Sequence, residues 1–408
     1  MAAIVILALA GLALYLRGLN SEQRVQFLND TLARTRAAVH TARGQIRKVP
    51  PNCEAFAQAL RERTRFAVVV PLILALNVAI FILIGLGDGT LSDPATLIAW
   101  GGSVGPRTTN GEWWRLITSL FVHSGMLPLL GNLIGLASVG FMLERLVGPV
   151  AFAGTYIVAG VIAGVAELSA HQIAVNTGAS GAIFGVYGLL VASTVWGLYG
   201  RSSATIPLAA LKHLAPGSLV FLIIDIVSYG IGSEVRVVGF AAGLIVGLIL
   251  AAGVTHRKPA MRRVFATVAA TVGIVIVLVA PLRGLEDVSA DIAAVIASED
   301  RITHDYDAVL AAANEGRSTM HDRIVLIDQI RPRLQTLRAR LESFHKVPRE
   351  QQPLVAGALE YLKTRDESWR LRREALRKSN LQILSEADSV ERMSLDRFRK
   401  LKVAASAS

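Results

Sequence analysis

One stretch decides the fold of this chain: Asn176-Thr177-Gly178-Ala179-Ser180-Gly181-Ala182-Ile183-Phe184-Gly185, which opens a long apolar run. It places a serine between small residues at the start of a helix that otherwise has the composition of a membrane span. Polar side chains at membrane depth cost free energy and therefore usually have a function. The stretch predicts Ser180 as a nucleophile candidate inside a bilayer.

The composition of the whole chain agrees with a membrane setting. Its 408 residues are 52% hydrophobic and only 18% charged, with a mean hydropathy of +0.48. This balance, together with several apolar runs of spanning length, excludes an ordinary soluble domain. The net charge of +11 is explained by cytoplasmic loops, so we expect no nucleic-acid partner. The single cysteine, Cys53, excludes an intramolecular disulfide framework.

The apolar runs predict an all-α polytopic membrane protein. Residues 1–16 form a short apolar run with Arg17 directly after it, which predicts an N-terminal anchor because a cleavable signal peptide carries its positive charge first. A polar segment, 17–65, follows. The main body then contains seven predicted spans: 66–86, 127–147, 150–168, 178–198, 217–231, 235–254 and 264–281. The connection 87–126 holds Trp100, Trp113 and Trp114, and tryptophans of this kind are typical of the membrane interface.

Lys and Arg set the predicted orientation. They concentrate in residues 17–65 and in the loops after the second, fourth and sixth spans, which places residues 17–65 in the cytoplasm. An odd number of spans then places the tail, 283–408, on the outer side. The tail is charged and helix-favouring. Leucine and isoleucine recur in it at three- and four-residue spacing, which predicts a helical bundle or short coiled coil and contacts with other helices: Leu326, Ile330, Leu334, Leu337 and Leu341.

Three helices bring candidate residues to a common depth. Asn132, Ser180 and Phe240 each lie two to five residues inside a span that begins on the outer side, which is roughly 3–8 Å below the helix ends at the α-helical rise. Glycines line two of these helices and allow close approach of their backbones: Gly178, Gly181, Gly185 and Gly188, and Gly239, Gly243 and Gly247. These glycines could equally serve packing alone.

The chain resembles the rhomboid family of intramembrane serine proteases over residues 66–282. The resemblance rests on ordered motifs: Asp93-Pro94-Ala95-Thr96-Leu97-Ile98-Ala99-Trp100-Gly101, Gly111-Glu112-Trp113-Trp114-Arg115-Leu116, Phe121-Val122-His123-Ser124-Gly125, Asn132, and Gly178-Ala179-Ser180-Gly181. It implies a six-helix core with an added seventh span, and an attack by Ser180 on a membrane-anchored protein near the outer face of a bacterial-type cell membrane. It assigns Asn132 to the oxyanion and structural roles to Trp114, Arg115 and His123, with no metal or cofactor.

Two positions depart from the family pattern. The family carries a histidine four residues before the oxyanion asparagine, where this chain has Pro128. The family's catalytic histidine precedes a pair of glycines by three residues; aligning Gly243 and Gly247 puts Phe240 there. Phenylalanine accepts no proton, and removing the base from a serine protease lowers turnover by about 10⁶-fold. Among the other histidines, His171 lies in the outer loop before Ser180, within reach of it.

Three hypotheses follow from these residues. The chain is an endopeptidase with an unconventional base, a catalytically silent relative that binds transmembrane clients, or a transporter or scaffold. The intact Gly178–Gly181 motif favours the first, Phe240 and Pro128 favour the second, and the third leaves the ordered motifs without explanation.

Overall fold

The fold is described from a computed structural model of the chain. It covers residues 51–87, 90–200, 206–230, 234–251 and 260–407. The predicted anchor, residues 1–16, and most of the polar segment 17–65 lie outside the described residues. Helix α1 (Pro51–Arg63) is the described part of that polar segment.

Seven apolar helices form the main body and confirm the all-α polytopic fold class. In chain order, with the three short helices of the 87–126 connection, the elements are α2 (Val69–Leu86), α3 (Pro94–Ala99), α4 (Gly105–Thr108), α5 (Arg115–Thr118), α6 (Met126–Val147), α7 (Pro149–Ala170), α8 (Ser180–Gly200), α9 (Leu208–Tyr229), α10 (Glu234–Ala251) and α11 (Met261–Val279). Six of the seven are long and apolar enough to cross a membrane. The apolar part of α10, Val235–Leu250, is shorter, about 24 Å at the α-helical rise.

One predicted boundary differs clearly from the structure. The fifth span was expected from residue 217, and α9 begins at Leu208 with Pro216 inside the helix. Proline is tolerated within membrane helices because neighbouring groups satisfy the freed backbone carbonyl. A prediction based on apolar runs therefore misses the first two turns of this helix, which precede the proline.

Helices α8 and α10 form the tightest contact of the bundle, and glycine makes it possible. A Cβ atom at Gly243 would lie 1.9 Å from the carbonyl oxygen of Gly185, and one at Gly239 would lie 2.3 Å from that of Gly181. On the other side of α8, a Cβ atom at Gly185 would lie 2.1 Å from the Cβ of Ala159 in α7. Small residues allow such close approach, and van der Waals packing is what drives helix association in lipid.

A buried carboxylate fixes the start of α2. Glu144 of α6 is fully buried, and its side chain accepts hydrogen bonds from the backbone N–H groups of Val68, Val69 and Val70 at 2.6–2.8 Å. The first N–H groups of a helix have no partner within it, and a negative charge there interacts favourably with the helix dipole. Glu144 thus couples α6 to α2.

The 87–126 connection folds against the end of the bundle at which α8 begins, referred to below as the Ser180 end. Arg115 is buried there. Its guanidinium donates to the carbonyl oxygens of Ile98 and Gly102 and to Glu112, and it lies 4.5 Å from the ring centre of Trp114. One antiparallel bridge joins Ser103 to Asn176, which precedes α8. The connection is therefore anchored beside the start of the Ser180 helix.

The tail forms a helical bundle with its own core. Its helices are α12 (Ser289–Asn314), α13 (Met320–Glu342), α14 (Gln352–Lys378) and α15 (Leu381–Ala407). The predicted leucine stripe packs into this core, with Ile330, Leu334 and Leu341 buried. The bundle also buries an ion pair in which Arg365 binds both carboxylate oxygens of Glu299 at 2.6 and 3.1 Å.

The tail docks on the Ser180 end through residues 345–351, between α13 and α14. The Glu350 carboxylate accepts hydrogen bonds from the backbone N–H groups of Gln172 and Ile173 at 3.0–3.2 Å. The buried Gln172 side chain accepts in turn from the backbone N–H of Arg349 at 2.9 Å. Tail and Ser180 therefore share one end of the bundle, as an odd number of spans requires.

Candidate active site

Ser180 is the first residue of α8 and faces a cavity at the Ser180 end. The turn before it needs glycine, because Gly178 has φ +103°, a left-handed backbone conformation that L side chains rarely adopt. The Gly178 N–H donates to the Ser119 carbonyl at 2.9 Å, which ties this turn to the 87–126 connection. The cavity has a volume of about 410 Å³, and its lining is mostly polar or ionisable: Ser124, Glu167, His171, Asn176, Thr177, Ser180 and Tyr229, with Ala170, Val175 and Val235.

Asn132 lies next to the same turn and is held by His123. The Asn132 side chain is 3% exposed, and its Nδ2 lies 2.9 Å from His123 Nε2. Burial lowers the pKa of His123 from its usual value near 6.5 to about 4, so the imidazole is neutral at pH 7. His123 Nδ1 lies 3.3 Å from the Phe121 carbonyl oxygen, which assigns the proton to Nδ1 and leaves Nε2 to accept from Asn132.

The contact with His123 uses one N–H of the Asn132 amide, and Asn132 lies beside the Ser180 turn without lining the cavity. A Cβ atom at Gly178 would lie 3.5 Å from Asn132 Nδ2 and 3.4 Å from the Tyr229 hydroxyl oxygen. The two polar groups thus flank the turn that presents Ser180. The Asn132 side chain bonds to His123 and does not cap the start of its own helix.

Tyr229 is a cavity residue that the sequence analysis missed. It ends α9, and its position is supported by a buried ion pair one turn earlier, between Asp225 of α9 and Arg236 of α10. The Arg236 guanidinium also donates to the backbone carbonyl of Asp225 at 3.0 Å. The sequence did contain a signal for Tyr229. Because consecutive spans are antiparallel, the end of α9 lies at the same end of the bundle as the start of α8, and a polar residue there could be expected near Ser180.

Phe240 does not share the Ser180 cavity. It lines a separate apolar groove of about 780 Å³ between α8, α9 and α10, with Phe184, Tyr187, Phe221 and Leu222 among its neighbours. The predicted convergence of three helices on one cavity is therefore only partial. The Phe240 ring lies among other aromatic rings, so its burial leaves no polar group without a partner.

His171 is the histidine that lines the Ser180 cavity. It follows the last residue of α7, and its side chain is 61% exposed. Its Nδ1 lies 3.8 Å from a carboxylate oxygen of Glu350, so the tail borders the cavity at this point. Within the described part of the chain, no hydrogen bond joins the Ser180 hydroxyl to an imidazole. Pro128, in the first turn of α6, provides no donor and is not among the lining residues.

Comparison with known proteins finds a family model that matches this part of the chain. The Rhomboid domain model matches residues 110–257. The rhomboid protease GluP of Bacillus subtilis is 36% identical over 120 residues, 29% of this chain and 23% of the relative. RHOMBOID-like protein 7 of Arabidopsis thaliana is 28% identical over 176 residues, 41% of this chain and 51% of the relative. The putative rhomboid protease YdcA of Bacillus subtilis is 40% identical over 81 residues, 20% and 41% of the two chains.

The matched region runs from the 87–126 connection through α10, so it contains Arg115, His123, Asn132, Ser180 and Phe240. The chain spans between about a quarter and a half of the length of these relatives. The match to the rhomboid family therefore covers the part of this multi-pass protein that carries the candidate site.

Proposed function

We propose that this chain is a rhomboid-fold membrane protein that binds membrane-anchored polypeptides in the Ser180 cavity and does not hydrolyse them. One observation carries the proposal: Phe240, which the resemblance aligns with the family's catalytic histidine, lines a different groove from Ser180. A serine hydroxyl is a weak nucleophile until an adjacent base accepts its proton. Without that base, the site retains binding groups and loses most of its turnover.

The remaining groups suit recognition of a peptide backbone. Asn132 places an amide nitrogen beside the Ser180 turn, and Tyr229 places a hydroxyl near the same glycine, Gly178. Both can donate to a carbonyl oxygen of a polypeptide that enters from the membrane. The cavity lies at the ends of α8 and α9, close to the interfacial tryptophans, so the expected client is an extended segment next to a transmembrane helix. Residence in a bacterial-type cell membrane stays a prediction.

Active-site labelling tests the absence of hydrolysis. The purified full chain is treated with a fluorophosphonate probe and, separately, incubated with a model single-span substrate. We expect no labelling and no cleavage beyond the level of the Ser180→Ala variant. Labelling or cleavage that depends on Ser180 would contradict the proposal.

Site-specific photo-crosslinking tests the binding. A photo-reactive residue replaces Val235, which lines the cavity, and in a matched control it replaces Val277, which is 70% exposed on α11. We expect adducts with a single-span client from position 235 and fewer from position 277. Asn132→Ala should weaken client binding by about tenfold, the effect of one lost hydrogen bond of about 1.4 kcal/mol. Equal adducts from both positions would refute recognition at the cavity.

A specific contact favours a second candidate, hydrolysis with His171 as the base. His171 lines the same cavity as Ser180, and Glu350 lies at its Nδ1 as an orienting carboxylate would. Under this alternative, labelling requires Ser180 and His171 and falls in Glu350→Gln. His345→Gln, in the same tail segment, is the matched control and should leave labelling unchanged. Labelling that survives His171→Gln would exclude this alternative.

A further inference from the structure

An apolar groove runs between the seventh span and the rest of the bundle, away from the Ser180 cavity. It lies between α7 and α11, has a volume of about 450 Å³, and is open to the membrane. Aliphatic side chains form almost all of its wall: Leu116, Ile117, Ile157, Val158, Val161, Val268, Val272, Val275, Ile276 and Val279. The one hydroxyl among the lining residues, Thr271, already donates to the Thr267 carbonyl at 2.9 Å. The groove therefore has the polarity of a hydrocarbon chain.

The length of the groove indicates what fills it. Along α11 it extends over the twelve residues from Val268 to Val279, about 16 Å between the two ends at the α-helical rise. The hydrocarbon core of a bilayer is about 30 Å thick, so the groove has the depth of one leaflet. A transmembrane helix of a client would need a contact surface across both leaflets. One acyl chain matches the observed length.

Two cations mark the end of the groove at headgroup level. Arg283 lines the groove, and its guanidinium lies 5.4 Å from the ring centre of Trp113, another lining residue. The Lys346 ammonium of the tail donates to the carbonyl oxygens of Pro281 and Arg283, the latter at 2.7 Å. Within the described part of the chain, no carboxylate lies within ion-pair distance of either cation. An uncompensated pair of positive charges at the headgroup end favours a phosphate group.

We propose that this groove is a binding site for an anionic glycerophospholipid of the leaflet at the Ser180 end. One acyl chain lies between α7 and α11, and the headgroup phosphate lies at Arg283 and Lys346. Because Arg283 follows the seventh span and Lys346 belongs to the tail, the lipid contacts both parts of the chain at their junction. The binding does not depend on whether Ser180 is reactive.

Native mass spectrometry of the full chain tests the headgroup. The delipidated protein in detergent is titrated with phosphatidylglycerol and with phosphatidylcholine of the same acyl chains. We expect one phosphatidylglycerol to be retained with clear preference over phosphatidylcholine. Arg283→Ala and Lys346→Ala should each lower that preference by about fivefold, and the double variant should abolish it. Equal retention of both lipids, or a preference that survives in the double variant, would overturn the proposal.

Two variants on the same helix test the groove itself. Val275→Trp fills the groove, because Val275 lines it and is half-buried, whereas Val277→Trp adds the same bulk at a position outside the lining set. We expect Val275→Trp to reduce retention of phosphatidylglycerol at least fivefold and Val277→Trp to leave it unchanged. Glycerol phosphate, which has the headgroup without the chains, should not displace the lipid at equal concentration. Equal effects of the two tryptophans, or displacement by glycerol phosphate, would contradict an acyl chain in this groove.

Discussion

The ion pair between Asp225 and Arg236 offers a quantitative test of how α9 is held in the bundle. Asp225 is 3% exposed and Arg236 is 8% exposed, and the guanidinium binds both the carboxylate and the backbone carbonyl of Asp225. Only 11% of the α9 span is buried inside the protein. The pair is therefore a buried polar contact that joins α9 to α10, one turn from Tyr229 and the Ser180 cavity.

Replacing one partner of the Asp225–Arg236 pair should lower the free energy of unfolding, whereas replacing both should change it little. An unpaired charge left at a buried site costs about 3–5 kcal/mol, whereas apolar residues of similar volume in place of both partners are often neutral or stabilising. We therefore expect Asp225→Leu and Arg236→Met each to lower the free energy of unfolding by at least about 3 kcal/mol. The double variant should recover most of that loss, because it leaves no charge without a partner.

Unfolding in mixed micelles of dodecyl maltoside and SDS, followed by circular dichroism, measures these differences. The exposed pair Arg338–Glu342 of α13 is the matched control, because an i,i+4 pair on a helix surface contributes only about 0.3–0.5 kcal/mol. Its two single variants and its double variant should differ little from the parent. If the effects of Asp225→Leu and Arg236→Met simply add in the double variant, the pair does not act as a buried unit and the reasoning fails.

Three further predictions concern the site and its packing. Between pH 7 and pH 5 the free energy of unfolding should fall by about 2 kcal/mol through His123. The reason is that the unfolded imidazole takes up a proton in this range, whereas the folded one, with a pKa of about 4, does not. Calorimetry of His123→Gln should show that this pH dependence of the free energy of unfolding is lost. Phe240→His alone should not restore fluorophosphonate labelling, because position 240 lines a groove separate from the Ser180 cavity, and labelling that appears in this variant and is lost with Ser180→Ala would contradict that separation. Gly243→Val should separate α8 from α10 and lower the melting temperature in detergent, whereas Gly273→Val, where a Cβ atom meets open space, should not.

The membrane fold could be predicted from the sequence because the bilayer imposes it. A helix that crosses about 30 Å of hydrocarbon needs a long apolar run, and such runs are visible without any knowledge of tertiary contacts. The clearest error in the predicted span boundaries lies in α9, where Pro216 inside the helix looks like a helix boundary in the sequence. Counting spans predicted the tail at the same end of the bundle as Ser180, and its contacts with Gln172 and Ile173 lie at that end, whereas its placement on the outer side stays a prediction.

The candidate site was harder to predict from the sequence than the fold, because its remaining residues come from distant parts of the chain. The motif predicted Ser180 and Asn132, since glycine and amide residues at helix starts have recognisable chemistry. Tyr229 and Glu350 carry no local signal of that kind. Glu350 meets the turn after α7 across 178 residues of sequence, and only the packing of the tail against the Ser180 end brings the two together.

The proposed function gives donors without a base a consistent physical meaning. Gly178 is held in a left-handed conformation, and a neutral, buried His123 orients the Asn132 amide. In a protease such donors accelerate the reaction because they bind the developing oxyanion more strongly than the carbonyl that precedes it. When no base generates the oxyanion, the same donors still bind a ground-state carbonyl oxygen. A site that stabilises the bound polypeptide without lowering a barrier gives affinity without turnover. Under the proposed function, the site around Ser180, with Phe240 lining a separate apolar groove, holds a peptide bond and does not break it.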